Sequence, residues 1–279
     1  MGWVMAKSRS PGRAKDTLRQ LDVRPSKERG QNFLIRPEVI DAIVSFAEAP
    51  PEAHVVEIGP GMGALTERLK GSQRLTLIEI EPKFCQHLAQ RFPHAQIINF
   101  DARLFDFASL GSGLFVFGNI PYVFSTEIIF QLLRHRAVVA EAVLMVQREF
   151  AERIAADPGG REYGSLSVAV QVYAEVELGE VIPGNSFHPP TAVESQLMKL
   201  RFRQRPLVDL GDAEFFEVVV RSAFAQRRKK VLNSLLSRGR WNKEILIQAL
   251  DRAGLSPDIR AEKITIEQFA RLASELAGR

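Results

Sequence analysis

The chain has 279 residues, 46% hydrophobic and 25% charged, ordinary values for a protein with a real core that exclude a disordered or collagen-like polymer. A formal charge of +4 is too mild by itself to identify a nucleic-acid partner. The single cysteine, Cys85, excludes an intramolecular disulfide framework and a multi-cysteine zinc site and fits a reducing cytoplasm, and no run approaches the ~18 apolar residues of a membrane span.

In chain order, residues 1–26 read as a basic, flexible arm. It lacks the apolar stretch of a secretory signal, and its composition also suits an organelle import segment. From 27 to 205, short β-rich runs alternate with helical stretches, the pattern of a parallel α/β sheet. Strands are predicted at His54–Ile58, Leu75–Ile80, Ala95–Phe100, Leu114–Gly118 and Ala142–Gln147, with amphipathic helices at Ala64–Lys70, Pro82–Arg91 and Ser125–Leu133. Two further β-rich runs, Ser167–Val176 and Ser195–Phe202, lack a crossover helix between them and read as an antiparallel pair at the sheet edge. Residues 206–279 read as helices only, at Ala213–Phe224, Arg227–Leu236, Lys243–Ala253 and Ile266–Leu276, a small second domain.

The strongest local motif is Val55-Val56-Glu57-Ile58-Gly59-Pro60-Gly61-Met62-Gly63, an apolar strand entering a glycine turn that opens a helix. Glycine lets the backbone approach a ligand closely, and the helix start beyond it offers unpaired N–H groups. Gly59, Gly61 and Ala64 fit the G-x-G-x-x-G/A loop of dinucleotide folds, with Glu79 as the acid for a ribose hydroxyl. The same residues fit the E-x-G-x-G-x-G loop of methyltransferases, and the loop alone does not separate the two. Asp101 follows the third strand. Gly59, Glu79 and Asp101 therefore converge on one crevice at the carboxyl ends of three strands, where open α/β sheets bind ligands.

Asn119-Ile120-Pro121-Tyr122 follows the fourth strand and supplies what a nucleobase amine needs. The Asn119 amide oxygen accepts one N–H, a backbone carbonyl held by Pro121 accepts the other, and Tyr122 offers a stacking face. A dehydrogenase has no use for this set. The five histidines read as structural or exposed, so none is assigned as a base, and Cys85 reads as a small buried hydrophobe.

The glycine loop together with Asn119–Tyr122 resembles the N6-adenine methyltransferases of the Rossmann-like class, and within them the KsgA-type ribosomal RNA adenine dimethyltransferases. Gly30–Leu34, Val146–Glu149, Tyr163–Ser167, Ser186–Pro190, Ala223–Lys230 and Arg260–Glu262 support the resemblance, which runs from about Arg29 to the C-terminus. It implies a Rossmann-like S-adenosylmethionine-dependent methyltransferase sheet with a C-terminal helical RNA-binding domain. It implies a cofactor site of Gln31, Asn32, Leu34, Gly59, Gly61, Glu79, Asp101 and Asn119, with Glu79 on the ribose hydroxyls and Asp101 at the adenine. The catalytic set would be Asn119, Pro121, Tyr122 and Phe187, with Phe187 and Tyr122 sandwiching a flipped adenine. The implied substrate is a pair of adjacent adenosines in the 3′-terminal hairpin loop of small-subunit ribosomal RNA, each methylated twice within a pre-30S-like particle. The implied enzyme is monomeric, cytoplasmic and metal-free.

Two alternatives share the fold: an Erm-type enzyme acting on large-subunit RNA, and a mainly non-catalytic RNA- or DNA-binding factor. Gln226–Lys230 and Arg260–Glu262 favour the KsgA type, and the intact Asn119–Tyr122 motif favours catalysis. Two positions depart from the family pattern. Val123-Phe124 stand where a polar residue usually follows the tyrosine, and Ala192 stands where a lysine is usual.

The charge is unevenly placed. Residues 1–29 carry a net +5 and residues 221–243 a net +8, which leaves −9 for the remainder. Arg227, Arg228, Lys229 and Lys230 head the second region, and such a run marks an RNA-backbone contact whose affinity falls with salt.

Overall fold

The computed structural model describes residues 11–25, 30–47, 49–226 and 228–277. Its chain divides into two compact units, Met1–Ala151 with Glu177–Phe202 and Glu152–Val176 with Arg203–Arg279.

The first unit is built on a sheet. In chain order the strands are β1 (Phe33–Leu34), β2 (His54–Ile58), β3 (Arg74–Glu79), β4 (Gln96–Asn99), β5 (Leu114–Asn119), β6 (Val139–Gln147), β7 (Ala174–Ile182), β8 (Phe187–His188) and β9 (Ser195–Phe202). Seven of them form one sheet in the order β4-β3-β2-β5-β6-β9-β7. β2 runs parallel to β3 and β5, β3 to β4, and β5 to β6, while β9 lies antiparallel to β6. Every residue of β2 is buried, as in a strand covered on both faces, including the polar His54 and Glu57. From β2 the chain steps first to β3 on one side, and it later reaches β5 on the other. The loops leaving β2 and β5 therefore part at the carboxyl edge, where a crevice forms.

The helices of this unit are α1 (Pro11–Gln20), α2 (Pro37–Phe46), α3 (Thr66–Leu69), α4 (Pro82–Arg91) and α5 (Ser125–Arg134), followed by α6 (Arg148–Ala155), which begins in it. Helix α1 corrects the expected flexible arm. Ala14 and Leu18 are buried in the same apolar cluster as Leu34, Ile43 and Phe187, so an i, i+4 apolar pair orders the segment from residue 11. Residues 1–10 of the arm lie outside the described residues.

The second unit holds α7 (Ser165–Gln171), α8 (Ala213–Ala223), α9 (Val231–Leu236), α10 (Lys243–Arg252) and α11 (Ile266–Ala277). Helix α7 corrects the first part of the strand expected at Ser167–Val176, whose last residues, Ala174–Val176, do open β7. The alternating Leu166, Val168 and Val170 favour a strand by propensity, but the Ser167 hydroxyl accepts from the Gly164 N–H at 3.0 Å and donates to the Arg153 carbonyl at 2.6 Å. Val168 and Val172, four residues apart, bury in one cluster with Tyr163, Phe216, Leu235 and Phe269, and this packing overrides propensity. The expected boundary at 205/206 moves for the same reason, because Glu152–Val176 packs with the helical unit. Tyr163 donates its hydroxyl proton to the Ile264 carbonyl at 3.1 Å. Helix α9 begins at Val231 rather than at residue 227, since Lys229 is still in a turn with its N–H on the Gln226 carbonyl. Among the described residues, no helix is long and apolar enough to cross a membrane.

Candidate active site

The glycine turn after β2 works through backbone geometry. Gly59, Gly61 and Gly63 all have positive φ, at 64°, 52° and 72°, where an L side chain is strained. A Cβ on Gly63 would lie 2.6 Å from the Phe92 ring, whereas one on Gly59 would meet no protein atom within 4 Å. Gly59 thus leaves open space on the wall where a ligand can approach the main chain.

Glu79 ends β3 beneath this turn and is 4% exposed. Its Oε2 accepts from the Gly61 N–H and its Oε1 from the Glu81 N–H, both at 2.9 Å. Burial pushes its pKa up against the opposing pull of these hydrogen bonds. A second acid, Glu57, sits on β2 with its Oε2 accepting from the Thr66 hydroxyl at 2.6 Å. Burial raises its pKa to about 8, which favours the protonated form at neutral pH.

Asp101 lies two residues beyond β4. Its Oδ1 accepts from the backbone N–H of Arg103 at 3.0 Å, and the Arg103 guanidinium contacts both carboxylate oxygens. Those hydrogen bonds hold its pKa below the usual range. Asn119 closes β5, and its Nδ2 donates to the Asn32 carbonyl at 2.9 Å. Gly30 has a φ of 59°, where an L side chain is strained, and it lies against Pro121 of the turn after β5.

A cavity of about 230 Å³ joins these groups. It takes in every cofactor position expected from the sequence, namely Gln31, Asn32, Leu34, Gly59, Gly61, Glu79, Asp101 and Asn119, and also Pro121. Two expected catalytic rings stand apart from its wall. The Tyr122 hydroxyl is hydrogen-bonded to the Ser195 hydroxyl at 2.6 Å, which ties the turn to β9. Phe187 is 2% exposed within the apolar cluster of the first unit, in the short β8 that pairs Phe187 with Leu34. The expected sandwich of an adenine between the two rings is therefore not preformed, because Phe187 packs in the core.

Of the basic run, Arg228, Lys229 and Lys230 are exposed, with Lys230 paired to Asp258 at 2.7 Å. Arg227 lies outside the described residues. Cys85 is half-buried rather than fully buried. Its thiol donates to the Glu79 carbonyl, and burial pushes its pKa to about 11.

Sequence reasoning missed several residues of this site. Glu57 and Thr66 were within reach, since both belong to the glycine motif and its helix. Ser195 carries no local signal, and it reaches Tyr122 only because β9 returns antiparallel to β6. Arg103 and Phe124 also line the cavity.

The geometry agrees with what comparison finds. The family model described as Ribosomal RNA adenine dimethylase matches residues 24–278. The chain is 38% identical over 281 residues to a protein of Bacillus mycoides named Ribosomal RNA small subunit methyltransferase A, covering 96% of both chains. A Bacillus cytotoxicus protein of the same name is 37% identical with the same coverage. Among solved structures, a dimethyladenosine transferase from Plasmodium falciparum superposes with a TM-score of 0.76 at 25% identity, over 88% of this chain and 98% of that one. The 23S rRNA methyltransferase ErmE gives 0.70 at 28% identity, over 88% and 100%. A Rossmann-like sheet, a glycine turn under a buried acid, and a match across nearly the whole chain all point the same way: this chain belongs to the ribosomal RNA adenine dimethylase family.

Proposed function

We propose that this S-adenosyl-L-methionine-dependent enzyme dimethylates N6 of two adjacent adenosines in the 3′-terminal hairpin loop of small-subunit ribosomal RNA. Asn119 carries the reading. Only the NH₂ side of its amide can donate to the Asn32 carbonyl, so the amide orientation is set and Oδ1 is left as an acceptor on a residue of the cavity wall. The Pro121 carbonyl accepts from the Phe124 N–H at 2.9 Å, which leaves the Ile120 carbonyl as the second acceptor for an adenine amine.

S-adenosyl-L-methionine supplies an electrophilic methyl group on its sulfonium sulfur. Glu79 and the glycine turn hold the ribose and methionine side, Gln31, Asn32 and Leu34 line the same pocket, and Asp101 accepts from the adenine. Asn119 and the Ile120 carbonyl draw the two N–H bonds of the target amine out of the base plane and localise its lone pair. Orientation of this kind supplies on the order of 7–11 kcal/mol of a barrier. Tyr122, fixed through Ser195, offers a face to the splayed base, whose unstacking costs least in a loop. Phe187 joins it only if the target base displaces the ring from its packed position. Arg227, Arg228, Lys229 and Lys230 grip the RNA backbone. The enzyme acts as a monomer on a pre-30S-like particle, and in a bacterium like those of its curated relatives that reaction is cytoplasmic.

The test is incubation with S-adenosyl-L-methionine and undermethylated ribosomal subunits, followed by mass spectrometry of each RNA. Two N6,N6-dimethyladenosines in small-subunit RNA are expected, and methylation confined to large-subunit RNA would replace this reading with the Erm-type one. Asn119→Ala should lower turnover by about a hundredfold or more while cofactor affinity changes only a few-fold.

A further inference from the structure

The proposed function leaves Arg103 and Phe124 without a role. Arg103 leaves the loop after β4 and Phe124 the turn after β5. In the sheet these strands are separated by β3 and β2, a span of ~14 Å at the usual inter-strand spacing. Yet the Arg103 Cζ lies 4.1 Å from the centroid of the Phe124 ring, and both residues line the cofactor cavity. The contact therefore bridges the crevice above the carboxyl ends of the two strands that carry the glycine turn and Glu79.

The guanidinium is held on its edge as well as on its face. Its Nε donates to Oδ1 and Oδ2 of Asp101 at 3.0 Å, and its Nη2 donates to Oδ2 at 2.5 Å. Glu127, on α5, adds a further acid that favours the positive charge. A fork-shaped cation fixes a carboxylate in rotation as well as in charge, and an aromatic face attracts the same cation. A carboxylate offers about four acceptor sites, and Asp101 is met by three donors of Arg103, the backbone N–H, one Nε–H shared between both oxygens, and Nη2, so about one site is left for an N–H of the adenine. The aromatic half of the pair is part of Val123-Phe124, one of the two places where the sequence departs from its family pattern.

We propose that Arg103 and Phe124 form a clasp across the adenine end of the cofactor cavity. Arg103 is a positioning residue that presents Asp101 to the exocyclic amine, and the closed pair slows escape of the nucleoside. This rests on the assignment of Asp101 to the adenine.

Rapid-mixing measurements of S-adenosylhomocysteine binding and release test it, with S-inosylhomocysteine, which lacks the amine, as a second probe. Arg103→Ala and Phe124→Leu should each speed release of the adenosyl ligand about tenfold, and the double variant should be no faster than the singles, because either change opens the same clasp. Phe124→Tyr should restore slow release, whereas Arg103→Lys should not, since an ammonium cannot fork across both oxygens. Arg103→Ala should also reduce the preference for the adenosyl over the inosyl ligand. Unchanged release in the single variants, or strictly multiplicative effects in the double, would overturn the clasp. Failure of the unaltered protein to bind S-adenosylhomocysteine at all would instead overturn the reading of the cavity. Equal binding of both probes by the unaltered protein would overturn the assignment of Asp101.

Discussion

Glu79 ends β3 and Asp101 follows the adjacent, parallel β4, and both line one cavity, yet they are held by opposite means. Both oxygens of Glu79 are satisfied by backbone N–H groups in a buried setting, and burial raises its pKa. Asp101 is partly exposed, is satisfied mainly by one arginine, and has a lowered pKa. A carboxylate built into the main chain is part of the scaffold, since it accepts the N–H of Gly61 inside the glycine turn. A carboxylate held by a side chain can be retuned by one substitution elsewhere. The two ends of the cavity thus differ in what mutation can reach without damaging the fold.

The largest expected effect tests this contrast directly. Glu79→Ala strands the Gly61 and Glu81 N–H groups, at about 1–3 kcal/mol each, and should abolish cofactor binding and lower stability together. Asp101→Ala leaves behind only a partly exposed arginine, so stability should change by less than about 1 kcal/mol while cofactor affinity still falls. Urea unfolding paired with calorimetric titration of S-adenosylhomocysteine separates the two, and equal stability losses would break the comparison.

The next effect sharpens the buried end. The folded protein keeps Glu57 protonated up to a pKa of about 8, whereas the unfolded chain releases that proton near the ordinary value of 4.5. Between those pH values the native state binds more protons than the unfolded state, so this group makes stability fall as pH rises. Glu57→Gln should remove that contribution, up to about 1.4 kcal/mol per pH unit. The variant should therefore gain on the unaltered protein in denaturation midpoints taken from pH 6 to pH 8. An identical pH slope in both proteins would show that Glu57 is already ionised when folded.

The smallest effect lies at the far edge of the site. Tyr122→Phe removes the hydroxyl pair with Ser195, a loss of about 1 kcal/mol, but keeps the ring. Turnover on small-subunit particles should fall by less than about tenfold, with Tyr122→Ala far worse. Equal losses in both variants would mean that the hydroxyl anchor, rather than the aromatic face, is what Tyr122 contributes.

Much of this was legible because the relevant signals are local. The apolar strand into Gly59-Pro60-Gly61, the acid at Glu79, and Asn119-Ile120-Pro121-Tyr122 each announce themselves within a few residues, and parallel α/β topology brings strand ends to one edge. Helix α7 was not legible, since Leu166, Val168 and Val170 alternate like a strand and only burial against the helical unit makes them helical. Nor was the packing of α1, whose Ala14 and Leu18 look like part of a charged arm until the core that receives them is known.

The sequence by itself determined the fold class and the convergence of the candidate residues on one crevice at the strand ends, because these depend on short-range order and on strand polarity. Tertiary structure alone decided what holds each of them. It set Glu79 on the Gly61 N–H, Tyr122 on Ser195 and the Arg103 guanidinium on the Phe124 ring, and it buried Phe187 in the core. Those partners lie on other elements, or take their geometry from how the elements meet, and no local pattern encodes a meeting across the sheet.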